Sequence, residues 1–371
     1  MPRLPLTAAQ RGIWFADRLT DDPAAFVTAD LVRFPAAMDA DRLAAAVGGA
    51  LGEIGGLHAR IGEDDGEPWQ DIPADPVPDV PVIDLPDADT ARNWAERDAS
   101  VPMDPAAGVL CRQAVLRVAD DGVWWYQAVH HLVTDGYGTS LLFRRVAEIL
   151  DAGPERPPSR LRGTAVLLDL EAAYTGSERW AAGRDYWERT LAGAEGAVGP
   201  EGERALPMAR PVRVRRTLSV TPEPAAAAGL VAVWLSRVTG RDDLTLGLLS
   251  MGRLGSPAAR VPACWVNVLP LRITVDPADT LNRLTERAGT ALSGASRHGR
   301  HRYEDLRREL GTLGGGRLVG ALLNIKPFMR EIVAGGHRGV IENLSSGPVD
   351  DIAVTLEGEH LLVEGHPDRY T

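Results

Sequence analysis

The sequence predicts an α+β protein of two similar lobes, and three observations carry that prediction. Its 371 residues exceed the roughly 100–200 residues of a typical domain. Stretches of strand-like and helix-like periodicity alternate in both halves of the chain. Between them runs a Pro- and Arg-rich segment ending at Arg162, the composition of a connector. The division therefore falls at 1–162 and 163–371, and a cleft between the lobes is the first place to expect a ligand.

Composition narrows the function classes. With 44% hydrophobic and 25% charged residues, a disordered, collagen-like or disulfide-framework chain is excluded. The balance of 40 Lys+Arg against 51 Asp+Glu leaves a net charge of −11, which disfavours nucleic acid or an anionic membrane as partner. Cys111 and Cys264 lie far apart without Cys-x-x-Cys or Cys/His spacing, so neither zinc nor a disulfide framework is indicated and a reducing cytoplasm fits. No signal-peptide order stands at the N-terminus. The longest apolar stretch, 225–235, is about half the roughly 20 residues of a membrane span. Lys326 is the sole lysine, a bias that points to GC-rich coding and receives no mechanistic weight.

Thr7 can cap a helix over 8–19, with Ile13, Trp14 and Leu19 as its buried side. A second helix is expected over 41–57, then short strands over 57–61 and 69–72 around the turn Glu63-Asp64-Asp65-Gly66. Residues 73–86, rich in proline, read as a connector. A helix over 90–99 leads to a hairpin of strands over 110–118 and 123–131, joined by a turn over 119–122. From 138 to 151 the residues Leu141, Leu142, Val146, Ile149 and Leu150 recur at helical spacing. Helices over 166–174 and 178–191 precede a low-complexity loop that ends near Pro211. The second half then predicts strands over 212–220, 244–249, 266–275, 318–326, 339–344, 352–357 and 360–364. Its helices are expected over 225–239, 281–293 and 304–310.

The sharpest constellation is His130-His131-Leu132-Val133-Thr134-Asp135-Gly136, placed between an aromatic strand and an amphipathic helix. Strand periodicity puts Trp124, Tyr126, Ala128 and His130 on one face and Trp125, Gln127, Val129 and His131 on the other. The two imidazoles therefore point apart: one can be a packed structural histidine while the other faces a channel. Opposed side chains and the lack of a second ligand cluster argue against a metal. No Gly-x-Ser-x-Gly elbow offers a nucleophile. Gly314-Gly315-Gly316 lacks the Lys-Ser/Thr of a phosphate loop and reads as a hinge.

The string His-His-x-x-x-Asp-Gly resembles the condensation domains of nonribosomal peptide synthetases. The likeness covers nearly the whole chain. Leu6 to Trp14 resembles the family's opening Ala-Gln-x-x-Trp helix, and Asp185-Tyr186-Trp187 its mid-chain Tyr-Trp helix. Met251-Gly252-Arg253 followed by Trp265 to Arg272 resembles its Arg…Val-Asn-x-Leu-Pro-Leu-Arg element, and Tyr303-Glu304-Asp305-Leu306 a helix start. Leu323-Asn324-Ile325-Lys326 and Ser346-Gly347-Pro348-Val349-Asp350-Asp351 are most similar to siderophore synthetases of the enterobactin type, though those often carry Asn where Asp350 stands.

The resemblance implies two chloramphenicol-acetyltransferase-like lobes in a V-shaped pseudo-dimer. A tunnel between them would be entered by the phosphopantetheine arms of donor and acceptor carrier proteins, with no intrinsic cofactor. His131 matches the functional histidine. His130 and Asp135 match structural positions, with Arg253 the expected partner of Asp135. Gly136, Ser346 and Asp350 match tunnel positions, and the Asn267–Arg272 segment is expected to bridge from the second lobe. The implied reaction is amide formation between a carrier-bound acyl thioester and an acceptor amine, small acyl and amine groups being the substrates. A thioester is already activated, so the site needs a neutral amine in line and help with charge and the proton, which His131 can supply as base or as positioning acceptor.

Departures from the pattern are a helix skipped after the first second-lobe strand and an end at Thr371 where most members continue, so a shortened second lobe is expected. The rivals are an epimerisation domain, a catalytically silent docking module and an acyltransferase using free acyl-CoA. A heterocyclisation domain is disfavoured because it carries aspartate where His130 stands.

Overall fold

Thr7 opens the first helix with a reciprocal cap. Its hydroxyl accepts from the Gln10 N–H at 3.2 Å, and the Gln10 side chain accepts from the Thr7 N–H at 3.0 Å. The computed structural model describes residues 3–153, 155–194, 197–200, 202, 206–311, 317–326 and 331–371. After β1 (Leu4–Pro5), α1 (Ala8–Asp17) buries Trp14. The helix stops at its Arg18 cap, so Leu19 never joins that face and is 76% exposed.

β2 (Val27–Phe34) is absent from the expected elements, yet it lies inside the first large sheet with Val27, Ala29 and Leu31 buried. α2 (Ala40–Gly52) is capped by Asp39, and β3 (Arg60–Asp64) and β4 (Glu67–Asp71) form a hairpin. Asp65 and Gly66 take φ of 50° and 86° there, the pair of positive values a two-residue hairpin turn demands. β5 (Val82–Leu85) arises inside the stretch expected to be a plain connector and pairs parallel with β6 (Cys111–Val118). α3 (Ala88–Ala99) stands between them in sequence.

β7 (Gly122–His130) is buried along its whole length, because helices cover both of its faces. On one side Trp94 of α3 meets Tyr126 edge-on; on the other, Phe143 of α4 (Gly136–Ala152) meets Trp125. Each large apolar side chain so buried contributes roughly 1.5–3 kcal/mol, which makes this strand the anchor of the first core.

In the second half, α5 (Ala165–Tyr174), α6 (Glu178–Leu191), β8 (Val212–Thr217) and α7 (Pro224–Thr239) follow one another. β8 reaches α7 through residues 218–223 with no helix between. β9 (Asp243–Ser250), β10 (Asn267–Thr274), α8 (Leu281–Arg297), α9 (Tyr303–Glu309) and β11 (Leu322–Lys326) come next. β12 (Glu331–Ala334), β13 (His337–Ser345), β14 (Ile352–Glu357) and β15 (His360–Gly365) complete the described strands. The second large sheet has the order β10-β9-β11-β14-β15-β8. Leu246, Leu269 and Leu271 of this sheet pack with Ala228 of α7 and Ala288 of α8 to form the second core.

The first large sheet reads β12-β13-β2-β7-β6-β5. Its β13 pairs antiparallel with β2, Ile341 opposite Val32 and Asn343 opposite Asp30. Chain order assigned the β12–β13 hairpin to a lobe of 163–371. It instead completes the sheet of the other lobe, because the free edge of β2 offers unpaired N–H and C=O groups that must be met. Part of the expected low-complexity loop before Pro211 and the Gly314-Gly315-Gly316 hinge lie outside the described residues. No described helix is long and apolar enough to cross a membrane.

Candidate functional site

The end of β7 and the start of α4 place the histidine motif. His131 donates its backbone N–H to Phe26 O at 2.8 Å, holding the first residue beyond the strand in line with β2. His130 is buried, stacked on Phe26 with centroids 6.2 Å apart. Its Nδ1 accepts from the Leu132 N–H at 3.1 Å, so its proton sits on Nε2, which faces Asp17 Oδ1 at 3.6 Å. Both ring nitrogens of His130 thus look into the first lobe.

His131 faces the opposite way, into a cavity of about 510 Å³. Burial holds its pKa below the ordinary histidine value, with the charge of Asp135 pulling upward and His130 pushing down. The ring is therefore neutral at pH 7 and keeps a lone pair. Gly347 lies against it: a Cβ on Gly347 would come within 3.0 Å of His131 Cδ2, and its φ of +98° already favours glycine.

Asp135 is the N-cap of α4 and the knot between the lobes. Its Oδ1 accepts from the Gly138 N–H at 2.9 Å, while Oδ2 accepts from Arg253 Nη2 at 2.6 Å and from the Trp265 N–H at 2.8 Å. Arg253 has no solvent exposure and Asp135 only 6%. The guanidinium also donates to Val261 O at 3.0 Å and to Ala263 O, and it sits 5.1 Å from the Tyr137 ring centroid. A buried pair is held by the further hydrogen bonds of its members; three of the carboxylate's and guanidinium's partners here are backbone groups of the second half, while Arg253 Nε is buried without one.

Both lobes wall the cavity. Thr28, Asp30, Gly136, Thr139 and Phe143 line it from the first lobe and Leu248, Met251, Val266, Asn324 and Lys326 from the second, together with Ser345 at the end of β13 and Ser346 just beyond it. A Cβ on Gly136 would meet nothing within 4 Å, so this position opens directly into the space. Ser346 lines it too, donating to Asn343 Oδ1 at 2.7 Å and accepting from Arg213 at 3.0 Å.

Asp350, expected beside Gly136 and Ser346, is not among the described lining residues. Its carboxylate pairs with Arg317 at 3.1 Å, because that buried guanidinium draws in both Asp350 and Asp351 as counter-charges. The segment Asn267–Arg272 also turns away from a bridging role. Asn267 holds Gly299 O, His301 O and the Tyr303 N–H, and Arg272 holds Asp243 at 2.6 Å, all within the second half. Conversely, Thr28 and Asp30 escaped notice with the strand that carries them, although the alternation Val27-Thr28-Ala29-Asp30-Leu31 signals it. Lys326, set aside as a coding bias, stands on the cavity wall.

Among the described residues no three His, Cys, Asp or Glu side chains gather as a metal site. Cys111 and Cys264 are free, and burial pushes their thiols up to about 11 and about 12, so neither is a nucleophile at neutral pH. What remains is one neutral imidazole opening on an inter-lobe cavity.

Comparison with known proteins identifies the family. The family model described as "Condensation domain" matches residues 2–208 and 226–347. The isonitrile lipopeptide synthase of Streptomyces coeruleorubidus is 36% identical over 99% of this chain and 27% of its own length. Enterobactin synthase component F of Escherichia coli O157:H7 is 31% identical over 95% of this chain and 29% of its own length. The chain thus spans less than a third of these relatives. Among solved structures, the starter condensation domain of rhizomide synthetase in complex with C8-CoA superposes with a TM-score of 0.92 at 28% identity, covering 100% of this chain and 90% of that one. The first condensation domain of the calcium-dependent antibiotic synthetase gives 0.88 at 27% identity, with 100% and 92% covered. Fold and sequence agree: the chain belongs to the condensation-domain family of nonribosomal peptide synthetases.

Proposed function

We propose that this chain forms an amide bond between an acyl thioester delivered by a donor carrier protein and an amine presented by an acceptor carrier or free in solution. The observation that carries the reading is His131, neutral and facing the cavity that both lobes wall. The amine nitrogen attacks the thioester carbonyl, the C–S bond breaks, and the sulfur leaves as thiol. His131 accepts the amine's proton through a ring nitrogen and returns it to the departing sulfur. No covalent enzyme intermediate and no resident cofactor are needed, since the thioester is already activated. The thioester, and the amine where a carrier presents it, arrive on phosphopantetheine arms, with Gly136 leaving the path clear. Asp135 and Arg253 hold the two walls in register, and His130 supports the strand end from behind. Two unpaired thiols suit a reducing cytoplasm.

The test is mass spectrometry of the product formed from loaded donor and acceptor carriers. His131→Ala is expected to lower amide formation by about 100-fold or more with unchanged melting. Near-full turnover in that variant, or equal wild-type rates on carrier-free acyl-CoA, would overturn the proposal.

A further inference from the structure

Two stretches of chain distant in sequence touch His131, and one short segment of the second half grips both. Phe26 accepts the His131 backbone N–H, and Gly347 lies against the ring. The stretch that leads to Phe26 is a tight run of turns. Asp22 Oδ1 accepts from the Ala24 N–H at 3.1 Å, Asp22 O accepts from the Ala25 N–H at 3.0 Å, and Ala24 O accepts from the Val27 N–H at 3.1 Å. A displacement at Asp22 therefore finds little slack before it reaches Phe26.

The gripping segment is 206–213, which runs into β8. Toward the first lobe, Arg210 Nε donates to Asp22 Oδ2 at 2.8 Å and the Thr20 hydroxyl donates to Met208 O. Toward the crossing chain, the Ala209 N–H donates to Val349 O at 3.1 Å and the Val349 N–H donates to Ala209 O at 3.0 Å. Arg213 completes the row by donating to Ser346 Oγ at 3.0 Å. Gly347 is thus pinned at the residue before it and at the second residue after it, by the same segment that holds Asp22. The Arg210–Asp22 pair is part-exposed, with 39% and 25% of its side chains accessible, so it contributes little to stability. Placement is another matter, because a shift of about 1 Å in a reacting group can cost on the order of 100-fold in rate.

We propose that Arg210 is a positioning residue for His131: by holding Asp22 while Ala209 holds Val349, it fixes the spacing of Phe26 and Gly347 around the imidazole. The proposal rests on the amide-forming reading of His131.

Two substitutions break the pair from either side. Asp22→Asn keeps the oxygen that caps the turn and replaces the one facing Arg210 with an amide nitrogen that cannot accept. Arg210→Gln removes the cation. Each is expected to lower kcat about tenfold, with KM for both reactants within about threefold of wild type and melting within about 3 °C. The double variant should be no slower than the worse single one, since both remove one contact. Arg210→Lys keeps the charge and should recover part of kcat. A second readout needs no turnover: the His131 imidazole resonance, identified by its loss in His131→Ala, is followed against pH. The charges that act on this ring, Asp135 and His130, are untouched by the substitutions. A ring less tightly enclosed is therefore expected to titrate closer to 6.5 than in wild type. If wild type forms no amide, this resonance still decides the matter. Wild-type kcat in both single variants, a His131 titration unaltered in both, or a loss of kcat that only tracks a fall in melting temperature overturns the proposal.

Discussion

A neutral imidazole has a pH signature. Because burial holds the His131 pKa below the ordinary 6.5, the unfolded chain protonates this group at a higher pH than the folded one. Folding stability from this group therefore falls as pH drops through the unfolded value toward the folded one. The active neutral form persists to the folded pKa, so the acid limb of kcat/KM is expected below pH 6.5. A pH profile whose acid limb lies above 6.5 would contradict the assignment. Gly347 is the second residue with a direct consequence. Its φ of +98° and the 3.0 Å approach to His131 Cδ2 mean that Gly347→Ala strains the backbone by about 1–3 kcal/mol and pushes the ring. A lower melting temperature together with reduced kcat is the expected outcome; an unaltered kcat would show that the ring has room to spare. That His130 and His131 point apart was legible from the strand period alone. The contact with Gly347 was not, since 216 residues of chain separate it from His131.

The crossing strand β13 depends on one arginine of β8. Arg213 donates to Asn343 Oδ1 at 2.6 Å, to Ser346 Oγ at 3.0 Å and to Leu344 O, and pairs with the buried Glu364 at 3.0 Å. The element it clamps is the one that lays Asn343, Ser345 and Ser346 along the cavity. Arg213→Ala strands Glu364 without its counter-charge and is expected to cost about 3–5 kcal/mol, measured by urea unfolding. Arg213→Lys keeps the charge but loses the planar fork, so it should recover part of the stability while the KM for donor stays raised. Full recovery of both by lysine would assign Arg213 a charge role alone. Local patterns announced most helices to within a few residues, as with α7 expected over 225–239 and found at Pro224–Thr239. They missed β2, β5 and β12, short or proline-flanked strands whose stability comes from neighbours distant in sequence.

At the scale of the whole molecule, Asp135 and Arg253 tie the halves at one buried point. Truncating Asp135 to alanine leaves the Arg253 guanidinium buried and uncompensated, removes the cap of α4 and frees the Trp265 N–H. The expected penalty is about 3–5 kcal/mol, read as a large drop in melting temperature or loss of soluble protein. Melting like wild type would place the lobe contact elsewhere. The sequence by itself determined the two α+β halves, the opposed histidines, the cap at Thr7 and the Asp135–Arg253 partnership, because each rests on local periodicity, on capping chemistry or on a family motif. Tertiary structure alone decided that the β12–β13 hairpin crosses to the first sheet, that Asp350 serves Arg317 and not the cavity, and that Asp30 and Lys326 share one space. Those outcomes follow from which strand edge and which buried charge each segment must satisfy, and a partner dozens to hundreds of residues away leaves no mark on the local pattern.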